Sequence, residues 1–167
     1  MQTYYSVMDL PNNMSTVKLQ KIETVLLEKG VYVGPTVGVS MLPMLKNRRD
    51  TIVVRPKTGR LQPLDVALYR RGNDYVLHRV LSVTDDGYII RGDNCYADEN
   101  VPEKEVIGVL TEFFRRDKRV LCTDEKYLKY VKKRLKTYKI RRFFVVFKAK
   151  IVGGIKKLLR PFRKKKA

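Results

Sequence analysis

The feature that most constrains the fold is a series of short apolar segments separated by turn residues over residues 31–114. Each segment is shorter than a typical helix and has the length and composition of a β-strand. The segments are residues 31–33, 51–54, 66–69, 75–77, 88–90 and 106–114. Gly72-Asn73-Asp74 and Asp85-Asp86-Gly87 have the composition of hairpin turns. The pattern predicts a mostly β (α+β) fold, with a coiled antiparallel sheet or a partly open barrel.

Helical spacing of apolar residues occurs on both sides of this region. A helix is predicted over about 15–29 and should end at Gly30, because glycine readily adopts the left-handed conformation of a helix C-terminus. A second helix is predicted over 124–140, followed by a basic segment with an apolar face over 141–160. The expected organisation is a lead-in and helix at 1–30, a β domain at 31–122 and a basic helical tail at 123–167.

Nearly all of the net charge of +19 belongs to the tail. Residues 1–125 contain 18 Lys and Arg against 17 Asp and Glu, whereas residues 126–167 contain 18 Lys and Arg and no acidic residue. Apolar side chains are interspersed among these charges, a mixture typical of a helix that lies on an anionic membrane. Residues 141–166 are therefore expected to contact a membrane surface. A solvated helix packed on the β domain is the alternative, and nucleic acid is disfavoured because no recognition motif is present.

The two cysteines, Cys95 and Cys122, do not have the paired spacing of a zinc site or of a disulfide framework. We therefore expect no metal and no cofactor. The N-terminus lacks the basic start and apolar run of a secretory signal, and no apolar run is long enough to span a bilayer. These features favour a cytoplasmic protein that is peripheral to the inner face of the membrane.

Several polar residues of the β region could form a hydrolytic site. Ser40 follows Gly38 in a loop between two strand-like segments, where a nucleophile would be accessible. His78 is the one histidine of the chain, and its ordinary pKa of about 6.5 leaves it neutral at pH 7, as a general base must be. A carboxylate should orient the imidazole. The candidates, among which the residues alone do not choose, are Asp93, Asp98 and Glu99.

The segments that carry these residues resemble the conserved boxes of signal peptidase I, in the superfamily that also contains the LexA-type self-cleaving repressors. In the family's order they are Gly38 to Leu45, Leu64 to Tyr69, His78 to Val80, Arg91 to Asn94 and Val106 to Val109. The resemblance covers roughly residues 34–115. It implies a mostly β fold, Ser40 as the nucleophile and cleavage of a peptide after a small residue. With His78 as the base, the chain resembles the endoplasmic-reticulum, archaeal and sporulation-type enzymes.

The chain departs from the family pattern at three points. Glu99 stands where the histidine-type enzymes have the Asp of their triad, and our expectation for the acid is Asp98 or Asp93. Gly38 replaces the hydroxyl residue of the bacterial enzymes, so backbone N–H groups, chiefly that of Ser40, would hold the oxyanion. The N-terminal membrane helix of the family is not visible. The expected site consists of Ser40, His78, Asp93 and Asp98 for catalysis, with Gly38 and Met41 on the substrate and oxyanion side.

The sequence therefore predicts a serine endopeptidase that cleaves a signal, leader or precursor peptide by a Ser–His mechanism. One alternative is a self-cleaving regulator of the LexA type, although no helix-turn-helix precedes the β region and the base is not lysine. Another is a non-catalytic member of the superfamily whose tail binds membrane or nucleic acid.

Overall fold

A computed structural model describes residues 21–148 and residue 151 of the chain. The strands are β1 (Tyr32–Pro35), β2 (Asp50–Arg55), β3 (Val66–Arg71), β4 (Asp74–Val83), β5 (Gly87–Arg91), β6 (Glu99–Pro102), β7 (Val106–Arg115) and β8 (Lys118–Leu121). The helices are α1 (Ile22–Lys29), α2 (Glu125–Lys136) and α3, which covers 138–148. The chain divides between Leu128 and Lys129 into two compact units, and the strands belong to the first.

The strands of the described residues form one antiparallel sheet in the order β1-β2-β7-β3-β4-β5-β6, with β8 paired to β7. The long strand β7 joins the two halves, because its first residues pair with β3 and its later residues pair with β2. Register shifts interrupt three of the pairings, at Val53/Val54, Leu68/Tyr69 and Val80/Ser82. Such irregularities increase local twist and allow the sheet to curl into a half-barrel. The predicted mostly β class is confirmed.

The six apolar segments all form strands, and both predicted hairpin turns join neighbouring strands. Gly72 has a positive φ of 61° between β3 and β4, which explains the glycine in this turn. The sequence pattern did not predict β6 or β8, because charged or polar residues make up half of each four-residue segment and leave no apolar run longer than two residues. Each of them pairs with a strand that the pattern does predict, and this pairing supplies the order that their own composition lacks.

Helix α1 begins at Ile22, directly after an extended Lys21, and ends as predicted at Gly30. Gly30 has a left-handed φ of 66° and donates its N–H to the carbonyl of Leu26. The predicted start of this helix near residue 15 lies outside the described residues. In the described ranges, 21–148 and 151, no helix is both long and apolar enough to cross a bilayer.

The helix predicted over 124–140 is interrupted at Thr137, which separates α2 from α3. The Thr137 hydroxyl donates to the carbonyl oxygens of Lys133 and Arg134, at 3.0 and 3.3 Å. Hydroxyl groups that bond back to the preceding turn compete with the regular helical pattern and often bend the chain. The basic segment predicted over 141–160 lies within the described residues only up to residue 148 and at residue 151.

A buried ion pair lies between β4 and the turn that follows β5. Arg79 Nε and Nη2 donate to the two carboxylate oxygens of Asp93, both at 2.8 Å. The guanidinium also donates through Nη1 to the Leu64 carbonyl at 2.8 Å and to the Tyr127 hydroxyl at 3.0 Å, while Nη2 lies 3.1 Å from Met44 Sδ. Burial disfavours its charge, but Asp93 more than offsets this and raises the pKa of Arg79.

The first prediction concerns the stability that this pair provides. Asp93→Asn keeps the size of the side chain but leaves the buried Arg79 guanidinium without its counter-ion. We expect the free energy of unfolding to fall by about 3–5 kcal/mol, measured by urea unfolding followed by circular dichroism. The matched control is Asp98→Asn, because Asp98 is half-exposed and pairs with Arg91 near the surface. Equal urea midpoints for the two variants would contradict the structural role of the pair.

Candidate active site

Ser40 lies in a turn of the loop that connects β1 to β2, and hydrogen bonds at the ends of the loop hold it in place. The Thr36 hydroxyl donates to the carbonyl oxygens of Lys46 and Asp50, at 2.8 and 3.0 Å. The Asp50 carboxylate in turn accepts the backbone N–H of Lys46 at 2.9 Å. These contacts join the two ends of the loop and so fix the position of the turn that contains Ser40.

Apolar side chains anchor one side of the same loop. Met41, Met44 and Leu45 are buried beneath it, whereas Val37 and Val39 are 78% and 58% exposed. Ser40 itself is half-buried and lies at the boundary between these two sets. The hydroxyl-bearing residue is therefore supported from below by the core and flanked at the surface by apolar side chains.

His78 is carried by the middle of β4, opposite Ala67 of β3. Successive side chains of a strand point to opposite faces, so the imidazole lies on the face away from the neighbouring Arg79. Tyr69 is the diagonal neighbour of His78 across the β3–β4 pair, and the two ring centroids are 6.0 Å apart. The His78 side chain is only 4% exposed.

The Nδ1 atom of His78 faces a tyrosine and a carboxylate together. It lies 3.1 Å from the Tyr69 hydroxyl and 3.2 Å from Glu99 Oε1. The Tyr69 hydroxyl donates its own hydrogen to Glu99 Oε2 at 2.9 Å, so both oxygens near Nδ1 are left to accept. This network requires the proton of the neutral ring to be on Nδ1, which leaves the Nε2 lone pair available as a base.

Gly92 lies between Nε2 of His78 and the backbone of Ser40. A Cβ atom added to Gly92 would be 2.9 Å from His78 Nε2 and 2.8 Å from the Ser40 carbonyl oxygen. The imidazole and the serine backbone therefore lie no farther apart than the sum of these distances. Within the described residues the Ser40 hydroxyl makes no hydrogen bond, to His78 or to any other group. In free enzymes such contacts are often loose and tighten when substrate binds.

Asn94 ties the turn after β5 to the Ser40 loop by two hydrogen bonds. Its backbone N–H donates to the Ser40 carbonyl at 2.7 Å, and its side-chain Nδ2 donates to the Val39 carbonyl at 3.2 Å. The turn itself is closed by the N–H of Cys95, which donates to the Gly92 carbonyl at 2.9 Å. The position of Ser40 is thus set by hydrogen bonds from Asn94 to the backbone of the loop and not by a bond between the Ser40 and His78 side chains.

The backbone of the loop leaves two N–H groups next to the hydroxyl without an acceptor. In the described part of the chain, neither Ser40 nor Met41 donates its N–H to any carbonyl or side chain. The N–H of Gly38, in contrast, donates to Asn47 Oδ1 at 3.0 Å. Gly38 has a φ of 93°, a conformation that other residues rarely adopt. Ser40 and Met41 are therefore the amides that could hold an oxyanion.

The three candidate carboxylates occupy different places. Asp93 binds Arg79 on the opposite face of the sheet, and Asp98 pairs with Arg91 at 2.8 Å near the surface. Glu99, the first residue of β6, has its carboxylate against the imidazole. Of these three carboxylates, the structure places that of Glu99 against the imidazole, whereas the sequence predicts Asp98 or Asp93 as the acid.

Sequence reasoning did not single out Tyr69 or Asn94 as site residues. Tyr69 ends one of the apolar runs and reads there as an ordinary core residue, and it is indeed buried. Its contact with the imidazole depends on the register between β3 and β4, which the pattern of apolar residues does not give. Asn94 belongs to a segment whose composition indicates only a turn.

Cys95 also lies close to Gly92, because a Cβ atom added to Gly92 would be 2.8 Å from Cys95 Sγ. Burial, with a further contribution from Glu99, raises the pKa of the Cys95 thiol. A protonated thiol is a weak nucleophile, so Ser40 remains the better candidate. Among the described residues, no group of three or more His, Cys, Asp or Glu side chains is arranged to hold a metal ion.

Comparisons with known proteins add no further assignment. The chain matches no model of a known protein family, and no curated protein is significantly similar to it.

The charge state of His78 follows from its surroundings. Burial lowers the pKa of the imidazole below its ordinary value of 6.5, Glu99 opposes this shift, and Arg71 adds to it. The ring is therefore neutral at pH 7. Because the folded-state pKa lies below that of the unfolded chain, the unfolded chain binds the proton first on acidification. The contribution of His78 to the stability of the fold is therefore fully present above about pH 6.5, and it falls as the pH decreases towards the folded-state pKa.

The second prediction is a titration of this group. With one histidine in the chain, a heteronuclear NMR spectrum gives a single imidazole signal to follow against pH. We expect a midpoint below 6.5, with Nδ1 protonated in the neutral form. Glu99→Gln should lower the midpoint further, because it removes the nearby negative charge. Asp98→Asn should leave it unchanged, and a wild-type midpoint above 6.5 would contradict the described environment.

Proposed function

We propose that this chain is a serine endopeptidase of the signal peptidase type, with Ser40 as the nucleophile, His78 as the general base and Glu99 as the residue that orients the base. The observation that carries the proposal is the convergence of His78 Nε2 and the Ser40 backbone on the space beside Gly92. The order of the matching sequence segments and the curled antiparallel sheet are consistent with that family's fold, which we propose for this chain.

The proposed mechanism uses groups that already have the required protonation states. Nε2 of His78 accepts the proton of the Ser40 hydroxyl while Oγ attacks the scissile carbonyl. The N–H groups of Ser40 and Met41 donate to the oxyanion that develops. The imidazolium then gives its proton to the leaving amine. Water, activated by the same imidazole, attacks the acyl-enzyme and releases the acid product.

Glu99 and Tyr69 have a shared task in this scheme. As the imidazole gains a proton, the carboxylate of Glu99 stabilises the positive charge through Nδ1. Tyr69 holds Glu99 by donating to its second oxygen, and its hydroxyl also lies 3.1 Å from Nδ1 of the ring. Tyr69 is thus a positioning residue, which acts on the base and not on the substrate.

The surface around Ser40 supports a polypeptide substrate. Val37 and Val39 flank the nucleophile and are largely exposed, so an extended chain with apolar side chains could cover them. Gly38 presents no side chain, and a Cβ added there would meet nothing within 4 Å, so the backbone is open to an approaching peptide. A signal, leader or precursor peptide is the class of substrate that we propose.

The third prediction tests the nucleophile. The full-length protein is incubated with a mixture of synthetic peptides that carry small residues at many positions, and the products are identified by mass spectrometry. We expect the wild type to cleave after small residues, and Ser40→Ala and His78→Ala to lose cleavage. Ser82→Ala is the matched control, since Ser82 lies on β4 outside the loop, and it should retain cleavage.

The outcomes separate the proposal from its competitors. Equal cleavage by the wild type and Ser40→Ala, or no cleavage of the mixture by the wild type at any pH between 5 and 9, would overturn the assignment. The intact mass of the protein is measured in parallel. Loss of a fragment from residues 1–36, dependent on Ser40 and without cleavage of added peptides, would indicate a self-cleaving regulator instead.

The fourth prediction identifies the carboxylate. Glu99→Gln keeps the shape of the side chain but removes the charge that stabilises the imidazolium, so kcat should fall by about 10²–10⁴-fold. Asp98→Asn should keep kcat within about twofold. Wild-type kcat/KM should rise with pH through the lowered pKa of His78 and level off near neutrality, because the neutral imidazole is the active form. A larger loss in Asp98→Asn than in Glu99→Gln would refute the role of Glu99.

A further inference from the structure

Helix α3 presents a row of exposed apolar side chains. Ile140, Phe143, Phe144 and Phe147 follow one another at intervals that place them on one side of a helix, and they are 60%, 64%, 63% and 53% exposed. Ile151 continues the same spacing and is also exposed. We call these five residues the apolar stripe.

The aromatic rings of the stripe pack against one another. The rings of Phe143 and Phe147 are stacked with centroids 6.0 Å apart, and those of Phe143 and Phe144 meet edge to face at 5.8 Å. Three adjacent phenylalanines held in water are costly, because each exposes a large apolar area. A contiguous patch of this kind marks a surface that another phase or molecule covers.

Basic residues border the stripe on both sides. At about 100° per residue, Lys139 falls on one flank of the stripe, and Arg141 and Lys148 fall on the other. No acidic residue occurs anywhere in 126–167, so this charge has no local counterpart on the helix. Long basic side chains beside an apolar face can place their stems on the apolar surface while their charges reach an anionic layer.

We propose that α3 binds the surface of an anionic lipid bilayer, with the apolar stripe inserted at the boundary of headgroups and acyl chains and the flanking cations at the headgroups. A bilayer offers both an apolar layer and a charged layer at this spacing. Nucleic acid would complement the charge but would leave the row of phenylalanines without a partner. This proposal does not depend on the peptidase activity.

The fifth prediction is a vesicle-binding experiment on the full chain. Sedimentation with vesicles of phosphatidylglycerol and phosphatidylcholine should retain the wild type, and vesicles of phosphatidylcholine alone should retain much less. The triple variant Phe143→Ala, Phe144→Ala, Phe147→Ala should lower the partition coefficient at least about tenfold, because its charge is unchanged but its apolar area is reduced. Alanine favours helix, so the helix itself should persist, which circular dichroism checks.

The matched control is the double variant Val145→Ala, Val146→Ala, which removes apolar area from outside the stripe. It should bind within about twofold of the wild type. Equal binding of the wild type and the triple variant would overturn insertion of the stripe. A short DNA duplex provides a second test. If the duplex binds the wild type and the triple variant equally well and also displaces the wild type from vesicles, attraction by charge alone accounts for the binding, and insertion of the stripe is overturned.

Discussion

The buried ion pair between Arg79 and Asp93 connects two of the chain segments that build the candidate site. Arg79 directly follows His78 on β4, and Asp93 stands between Gly92 and Asn94. Two hydrogen bonds of 2.8 Å lock the guanidinium to the carboxylate in the interior. Asn94 then carries this constraint to the Ser40 loop. An apolar pair of equal volume could give equal stability, but it would not fix direction and spacing in the same way.

The alternation of side chains along β4 places the charged Arg79 and the neutral His78 on opposite faces of the sheet. Arg79 keeps its proton because an anion faces it on one side of the sheet. On the other side, burial keeps the imidazole of His78 neutral although Glu99 is near. Two consecutive residues thus differ in charge, one cationic and one neutral, because a strand points their side chains into different surroundings. A helix would have placed them about 100° apart, with partly shared surroundings.

The sequence predicts the features that depend on local pattern. The spacing of apolar residues predicts the strands, and the backbone preferences of glycine and the other turn residues predict the hairpin turns and the end of α1 at Gly30. Features that depend on register are not predictable in this way. Glu99 reaches His78 because β6 pairs with β5, opposite Ile90, and β5 pairs with β4. Asp93 is one of the two carboxylates that the sequence predicts for the acid, and its side chain meets Arg79 instead of the imidazole.

The backbone of Gly92 lies so close to His78, Ser40 and Cys95 that there is no room for a side chain at this position. Even one methyl group would lie within 3 Å of both the imidazole of His78 and the carbonyl oxygen of Ser40. Its backbone φ is ordinary, since Gly92 is not among the residues with positive φ. Glycine is therefore required at this position by the close approach of three neighbouring atoms and not by an unusual turn. Even alanine would have to push the Ser40 loop or β4 aside, so a residue without a side chain sets how closely these two segments approach each other.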